Sequence, residues 1–193
     1  MDKQMFQFYK NALTCNLCDE YKGLWRSAGE DKEKLIRLSL AQQSIPYVAN
    51  FCYNGMGLTK EYIKSEFSKY INGKKMLYDC DGVDGFSYEL YVDHHDDFYV
   101  RSNVVSMMWC DANVHVDTTK CPIIYVSNKT RCRLHANGYN SIRVYLFDES
   151  EIELYDIDTT SDVTIYCYSD DCKVSIGKYC LGKFKQFQKK LVL

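Results

Sequence analysis

The sequence predicts an α+β chain in which an N-terminal helical module runs into a short β-solenoid (β-helix) of about four ~20-residue coils. Three observations carry that prediction. Residues 1 to about 75 place apolar side chains at helical spacing. From about residue 86 onward, short segments alternate apolar and polar, as strands do. Those segments recur about every 20 residues, the mark of a repeat architecture. The expected division is a helical module over 1–75, a connecting segment over 76–99, and a β-solenoid with a C-terminal cap over 100–193.

Four helices are expected in the first part. One covers about residues 3–14, with Met5, Phe6, Tyr9, Ala12 and Leu13 on one face. A second starts after Asp31, a good N-cap, and carries Leu35, Ile36, Leu38 and Leu40. A third starts at Ser44-Ile45-Pro46, where the missing proline N–H costs nothing, and ends near Asn54-Gly55. The fourth starts at Thr59 and stops at Asn72-Gly73, with Ile63, Phe67, Tyr70 and Ile71 as its apolar stripe. The pair around Gly55-Met56-Gly57 is a helix–turn–helix only in a loose sense. Lys60, Lys64 and Lys69 are offset by Glu61 and Glu66, so helix packing is expected there rather than DNA binding.

The repeat consists of two interleaved series. One starts at Val105, Ile124, Val144 and Ile165, with steps of 19, 20 and 21 residues. The other starts at Val114, Cys132, Ile152 and Val174, with steps of 18, 20 and 22. Columns of like apolar residues are what a solenoid needs, since each coil buries its apolar face against the next. The rival is an antiparallel meander closing into a β-sandwich. After Gly177 the chain turns basic, with Lys178, Lys183, Lys185, Lys189 and Lys190, which is read as a solenoid cap.

Outward positions also fall in columns. Tyr125, Tyr145 and Tyr166 share one, with Phe147 and Tyr168 in the next outward position. These five are the candidate partner-binding residues. Cover by the helical half, a partner or oligomer surface, and a ligand-stacking platform are all readings of such a ladder. A second column runs His115, Arg133, Glu153, Ser175. Arg131, Arg133 and Arg143 are the candidate anion-binding residues if a phosphate-bearing ligand is bound.

Chemical motifs are weak. Cys15-x-x-Cys18 lacks the second close pair of a structural zinc site. Asp79 to Gly85 starts like a calcium loop but carries Val83 at the fifth position and Leu90 at the twelfth. His94-His95-Asp96-Asp97 is the densest ionisable cluster, but strand neighbours point to opposite faces, so a solvated loop is expected. No Ser/His/Asp set, phosphate loop or dinucleotide fingerprint is present. No catalytic residue, cofactor or metal is therefore assigned.

Composition narrows the partners. Residues 1–75 hold 12 Lys/Arg against 8 Asp/Glu, and residues 76–193 hold 12 against 18, for a net charge of −2. That balance argues against a general nucleic-acid binder. The longest apolar stretches are about five residues, so no membrane span is expected. The N-terminus lacks the apolar region of a signal peptide, and the 10 cysteines are read as free thiols.

The stretch Cys18-Asp19-Glu20-Tyr21 through Trp25, then Asn54-Gly55-Met56-Gly57-Leu58-Thr59 through Phe67, then Asn72-Gly73, resembles a recurring leader. Together with strands such as Ile142-Arg143-Val144-Tyr145-Leu146, it is similar to small proteins of phages and prophages of gut Bacteroidota, including crAss-like phages. The resemblance implies a phage context and a location in the virion or host cytoplasm. It supplies no catalytic residues. The expected function is a non-enzymatic structural or interaction protein, a virion accessory such as a head decoration, fibre or adaptor, with protein partners or self-association. The alternative is a phage-encoded inhibitor or sponge acting on a host defence protein or nucleotide signal.

Overall fold

A computed structural model describes residues 3–14, 17–39, 51–52, 55–67, 76–78, 90–100, 102–117 and 121–190. Its helices of a turn or more are α1 (Lys3–Thr14), α2 (Asp19–Ala28), α3 (Lys32–Ser39) and α4 (Lys60–Glu66). In α1 the buried face is Met5, Phe8 and Ala12, while Phe6 stays 37% exposed. Phe8 meets Trp25 and Phe51 at ring-centroid distances of 5.6 Å, which pulls it inward in place of Phe6. The cap at Asp31 is as expected, its carboxylate accepting from the Lys34 N–H at 3.1 Å. Thr59 caps α4 by accepting from the Tyr62 N–H at 3.2 Å.

Helix α2 was not anticipated as a separate element. Gly23 interrupts its pattern, and its N-cap, Cys18, makes no side-chain cap bond. Asp19 and Glu20 in its first turn supply the favourable charge instead. The start of the expected third helix, and the Asn72-Gly73 end of the fourth, lie outside the described residues.

The strands are β1 (Met76–Tyr78), β2 (Leu90–Val92), β3 (Phe98–Tyr99), β4 (Val104–Met108), β5 (Asp111–Val116) and β6 (Ile123–Ser127). They continue as β7 (Arg131–Ala136), β8 (Ser141–Leu146), β9 (Glu151–Ile157), β10 (Asp162–Cys167), β11 (Lys173–Cys180) and β12 (Lys183–Gln188). One sheet runs β1-β2-β4-β6-β8-β10-β12 and the other β11-β9-β7-β5-β3. Adjacent strands pair in parallel, so successive coils stack as a β-solenoid of about five turns, and the antiparallel sandwich is ruled out.

The solenoid is longer than the expected four coils at both ends. β1, β2 and β3 fall in the segment expected to be a connector. Leu90, Tyr91 and Val92 are all buried, so they show no alternation to read. Tyr91 points into the solenoid core, whereas Leu90, Val92 and Met108 belong to the core of the helical module. The helices therefore pack on the outer face of the first sheet at its early coils. At the other end, the basic cap is itself built from strand. β12 pairs with β10 from Asp162↔Lys183 to Cys167↔Gln188 and places Gln186 and Gln188 where earlier coils bury apolar side chains.

The first inner column is as expected, Val105↔Ile124↔Val144↔Ile165, each 0% exposed. In the second sheet β5 sits two residues from the expected register. Ala112 pairs with Cys132 and Val114 with Leu134. A two-residue shift keeps the same face inward, so the pattern alone does not distinguish the two registers. Each inner Val, Leu or Ile contributes about 1.5–3 kcal/mol by burial.

Turns are pinned by polar side chains. Asn128 and Lys129 both adopt left-handed φ, 58° and 60°, which aims their N–H groups together. Both donate to the Asp148 carboxylate one coil on, and Ser150 Oγ lies 2.6 Å from the same group. Burial pushes the Asp148 carboxyl up despite these donors.

Helices and solenoid are also tied by charge. Asp93 lies 3.2 Å from Lys60 Nζ and 2.8 Å from Lys64 Nζ. Burial pushes the Asp93 carboxyl up, but the two ammonium groups outweigh it and hold it below its usual range. Two lysines that could have marked a DNA-binding helix thus fasten α4 to the first coil.

Candidate functional site

The outer face of the first sheet carries the aromatic ladder. In-register parallel pairing places Tyr125, Tyr145 and Tyr166 on successive rungs. Their ring centroids are 5.0 and 5.1 Å apart, with interplanar angles of 16° and 28°. Phe187 extends the column, 5.6 Å from Tyr166. It stands 21 residues after Tyr166, the same step as from Tyr145, so the repeat could have found it. Phe147 and Tyr168 form the adjacent row at 5.0 Å. Phe147 is 4% exposed, and the tyrosines of the ladder are partly buried.

Stacking decides what this face can do. Rings about 5 Å apart spend their faces on each other, leaving edges and hydroxyls outward. A flat ligand has no room between rungs, so the ladder is a poor stacking platform. Burial, then the neighbouring Tyr145 and Tyr166, push the Tyr168 phenol up, so its hydroxyl stays a donor. A row of apolar ring edges with polar tips suits a protein surface.

This row continues the face on which the helices already pack. In register, Leu90 stands over Ser106, and Ser106 over Tyr125. The helical core includes Leu90, Val92 and Met108, not the ladder rings.

The arginines divide between the sheets. Arg143 pairs in register with Ile123 and Thr164 on the first sheet, whereas Arg131 and Arg133 lie on the second. Arg133 Nε is 3.1 Å from Glu153, and Glu151 accepts from Lys173 at 2.6 Å and lies 3.6 Å from Arg131 Nε. The three do not converge on one anion site.

The second sheet carries a ladder that the sequence reading missed. Tyr99, His115 and His135 stack at 4.9 and 4.5 Å, and Tyr155 follows at 5.1 Å. The two-residue register shift explains the miss, since it places His115 opposite His135 instead of Arg133. Asp97 lies 3.6 Å from His115, and its other oxygen accepts from Asn113 at 2.6 Å. His94, expected in a solvated loop, is 0% exposed and packs against Tyr91 and Phe98 at 5.5 and 5.8 Å.

Burial lowers the His135 pKa below its usual 6.5, and His115 and Arg133 add to the effect, while Asp156 and Asp97 oppose it. The unfolded chain therefore takes up this proton before the folded one. Stability contributed at this position falls as pH drops through the usual histidine value. Urea midpoints at about pH 7.5 and about pH 5.5 should differ less for His135→Gln than for the natural chain. Equal differences would contradict this assignment.

The eight described cysteines are free thiols, and burial pushes Cys52 and Cys110 up to about 12, far from reactivity. Cys15, the Asp79–Gly85 loop and Arg101 lie outside the described residues. Among the described residues, no cluster of three or more His, Cys, Asp or Glu is arranged to hold a metal ion, and no helix is long and apolar enough to cross a membrane. A scan against models of protein families, a search of curated proteins and a search of solved structures each returned no match.

Proposed function

We propose that this chain is a non-enzymatic interaction protein whose solenoid holds the first-sheet ladder as a docking face. Tyr125, Tyr145, Tyr166 and Tyr168 are the residues that meet a protein partner or a second copy, whereas Phe147, buried in the free chain, supports Tyr168 instead of meeting the partner. The observation that carries this reading is the in-register ladder lying beside the same face's helix-covered part. A parallel solenoid supports it further, because each rung is fixed by the rungs on both sides. A virion accessory role, as head decoration, fibre or adaptor, is the form implied by the likeness to phage proteins. The inhibitor or sponge reading needs convergent arginines, and Arg143 stands apart from Arg131 and Arg133.

Light scattering after size exclusion, with native mass spectrometry on the same sample, tests the self-association form. A defined assembly is expected, and Tyr145→Ala should weaken it about 30-fold if this ring is a hot spot worth ~2 kcal/mol. A monomer carrying non-protein mass would overturn the reading. A bare monomer would remove the second copy as the occupant.

A further inference from the structure

The outer face of the second sheet has open hollows between its projecting side chains. Two adjoining hollows of about 530 and 490 Å³ lie on it and share Asn113, Arg133 and Glu153. The rungs from Asp97 through Asn113, Arg133 and Glu153 to Ser175 stack along the solenoid, spanning about 19 Å at ~4.8 Å per rung.

The groove is charged, and each of its cations already has a carboxylate partner. Arg133 is matched by Glu153, Arg131 and Lys173 by Glu151, and Asn113 by Asp97. An anion would have to displace a carboxylate from each of these cations. A neutral ligand rich in hydroxyls meets no such cost, because each hydroxyl can both donate to a carboxylate and accept from a guanidinium.

One aromatic ring breaks the stacking on this face. Leu134 pairs with Leu154, but His135 pairs with Asp156, so Tyr155 is the extra residue of a bulge. Bulges re-aim a side chain and collect beside functional sites. The Tyr155 ring is tilted 52° from His135 and 71° from Tyr179, and it is 37% exposed. The next rung has Gly177 there, and a Cβ on it would lie 2.9 Å from the Tyr155 Cα. Tyr155 thus turns out of its column at the rim of the groove.

We infer that this groove binds a neutral polysaccharide, with a pyranose ring packed on Tyr155 and its hydroxyls held by the Arg133–Glu153 pair. The inference does not rest on the docking face proposed above, which lies on the other sheet.

Native electrophoresis through gels containing soluble starch, hydroxyethylcellulose, galactomannan or arabinoxylan tests it, with polygalacturonate, polyglutamate and polylysine as charged comparisons. The chain should be retarded by at least one neutral polymer. Tyr155→Ala should weaken retardation about tenfold or more, while Tyr155→Phe and the opposite-face variant Thr164→Ala should keep it. If Tyr155→Ala loses its β circular dichroism, Glu153→Gln probes the same site and should also weaken retardation. No retardation in any neutral gel, retardation by charged polymers alone, or an unchanged Tyr155→Ala would overturn the inference.

Discussion

Leu134→Ala should lower the free energy of unfolding by about 3 kcal/mol, within the range for truncating a fully buried leucine. Leu134 is 0% exposed and sits in register between Val114 on one side and Leu154 on the other. Three lost carbons leave a void bounded by two other rungs. The strands on either side are held by ladder hydrogen bonds and cannot close in to fill it. In a stacked coil each unit is stabilised by its neighbours, so a defect in the middle weakens both interfaces at once. The measurement is urea unfolding followed by circular dichroism, with a lowered midpoint and an unchanged slope. Val174→Ala is the companion. Val174 lies in β11, the last strand of its sheet among the described residues, and is only partly buried, so it should lose about 1 kcal/mol or less. Equal losses at the two positions would contradict the account of how the coils support one another.

Gly57→Ala should be the most damaging small change in the helical module, costing about 1–3 kcal/mol. A Cβ there would lie 2.5 Å from the Cys52 N and 2.7 Å from the Phe51 carbonyl carbon. Both are backbone atoms, so no side-chain rotation relieves the contact. Phe51 is 1% exposed and packs edge-on against Phe8, and the Met56 N–H donates to the Phe51 carbonyl at 3.0 Å. Pushing Phe51 away therefore opens the core between α1 and α4. Gly55→Ala makes the contrast, because nothing lies within 4 Å of its Cβ position and its cost comes from a φ of 68° alone. That cost is about 1 kcal/mol. Thermal unfolding of both variants checks the order, which reverses if the close approach at Gly57 is relieved by small shifts.

The solenoid was legible because its long strands repeat at nearly constant spacing and alternate cleanly. Val105, Ile124, Val144 and Ile165 could be aligned by counting, and their register in the structure is the counted one. The ladder of Tyr125, Tyr145 and Tyr166 followed from the same count. Three features hid from it. The first coil was invisible because both faces of Leu90–Val92 are covered, one by the solenoid core and one by helices. The His115–His135 stack was displaced because Ala112 reads as part of a turn, although it points inward opposite Cys132. Tyr155 entered no column, because it is the extra residue of a bulge, a change in residue count that no periodicity announces. Of the two candidate sets, the ladder was readable because it depends on register alone. The separation of Arg143 from Arg131 and Arg133 depends on which sheet each strand joins, and the sequence pattern is the same for both sheets.

The paired charges of the second sheet have a bearing on how the coils find their places. The inner columns are nearly interchangeable, with Val114, Leu134 and Leu154 following one another. Apolar packing alone would accept a chain that skips one coil and stacks on the next but one. Along the outer column the signs alternate, Asp111, Arg131, Glu151, Lys173. Correct stacking sets each charge beside its opposite. Skipping a coil would set Asp111 beside Glu151, or Arg131 beside Lys173, and like charges directly opposite on adjacent strands repel. The alternation serves as a proofreading code, worth little to the finished fold and most useful against the misaligned stacks that a repetitive core would otherwise tolerate.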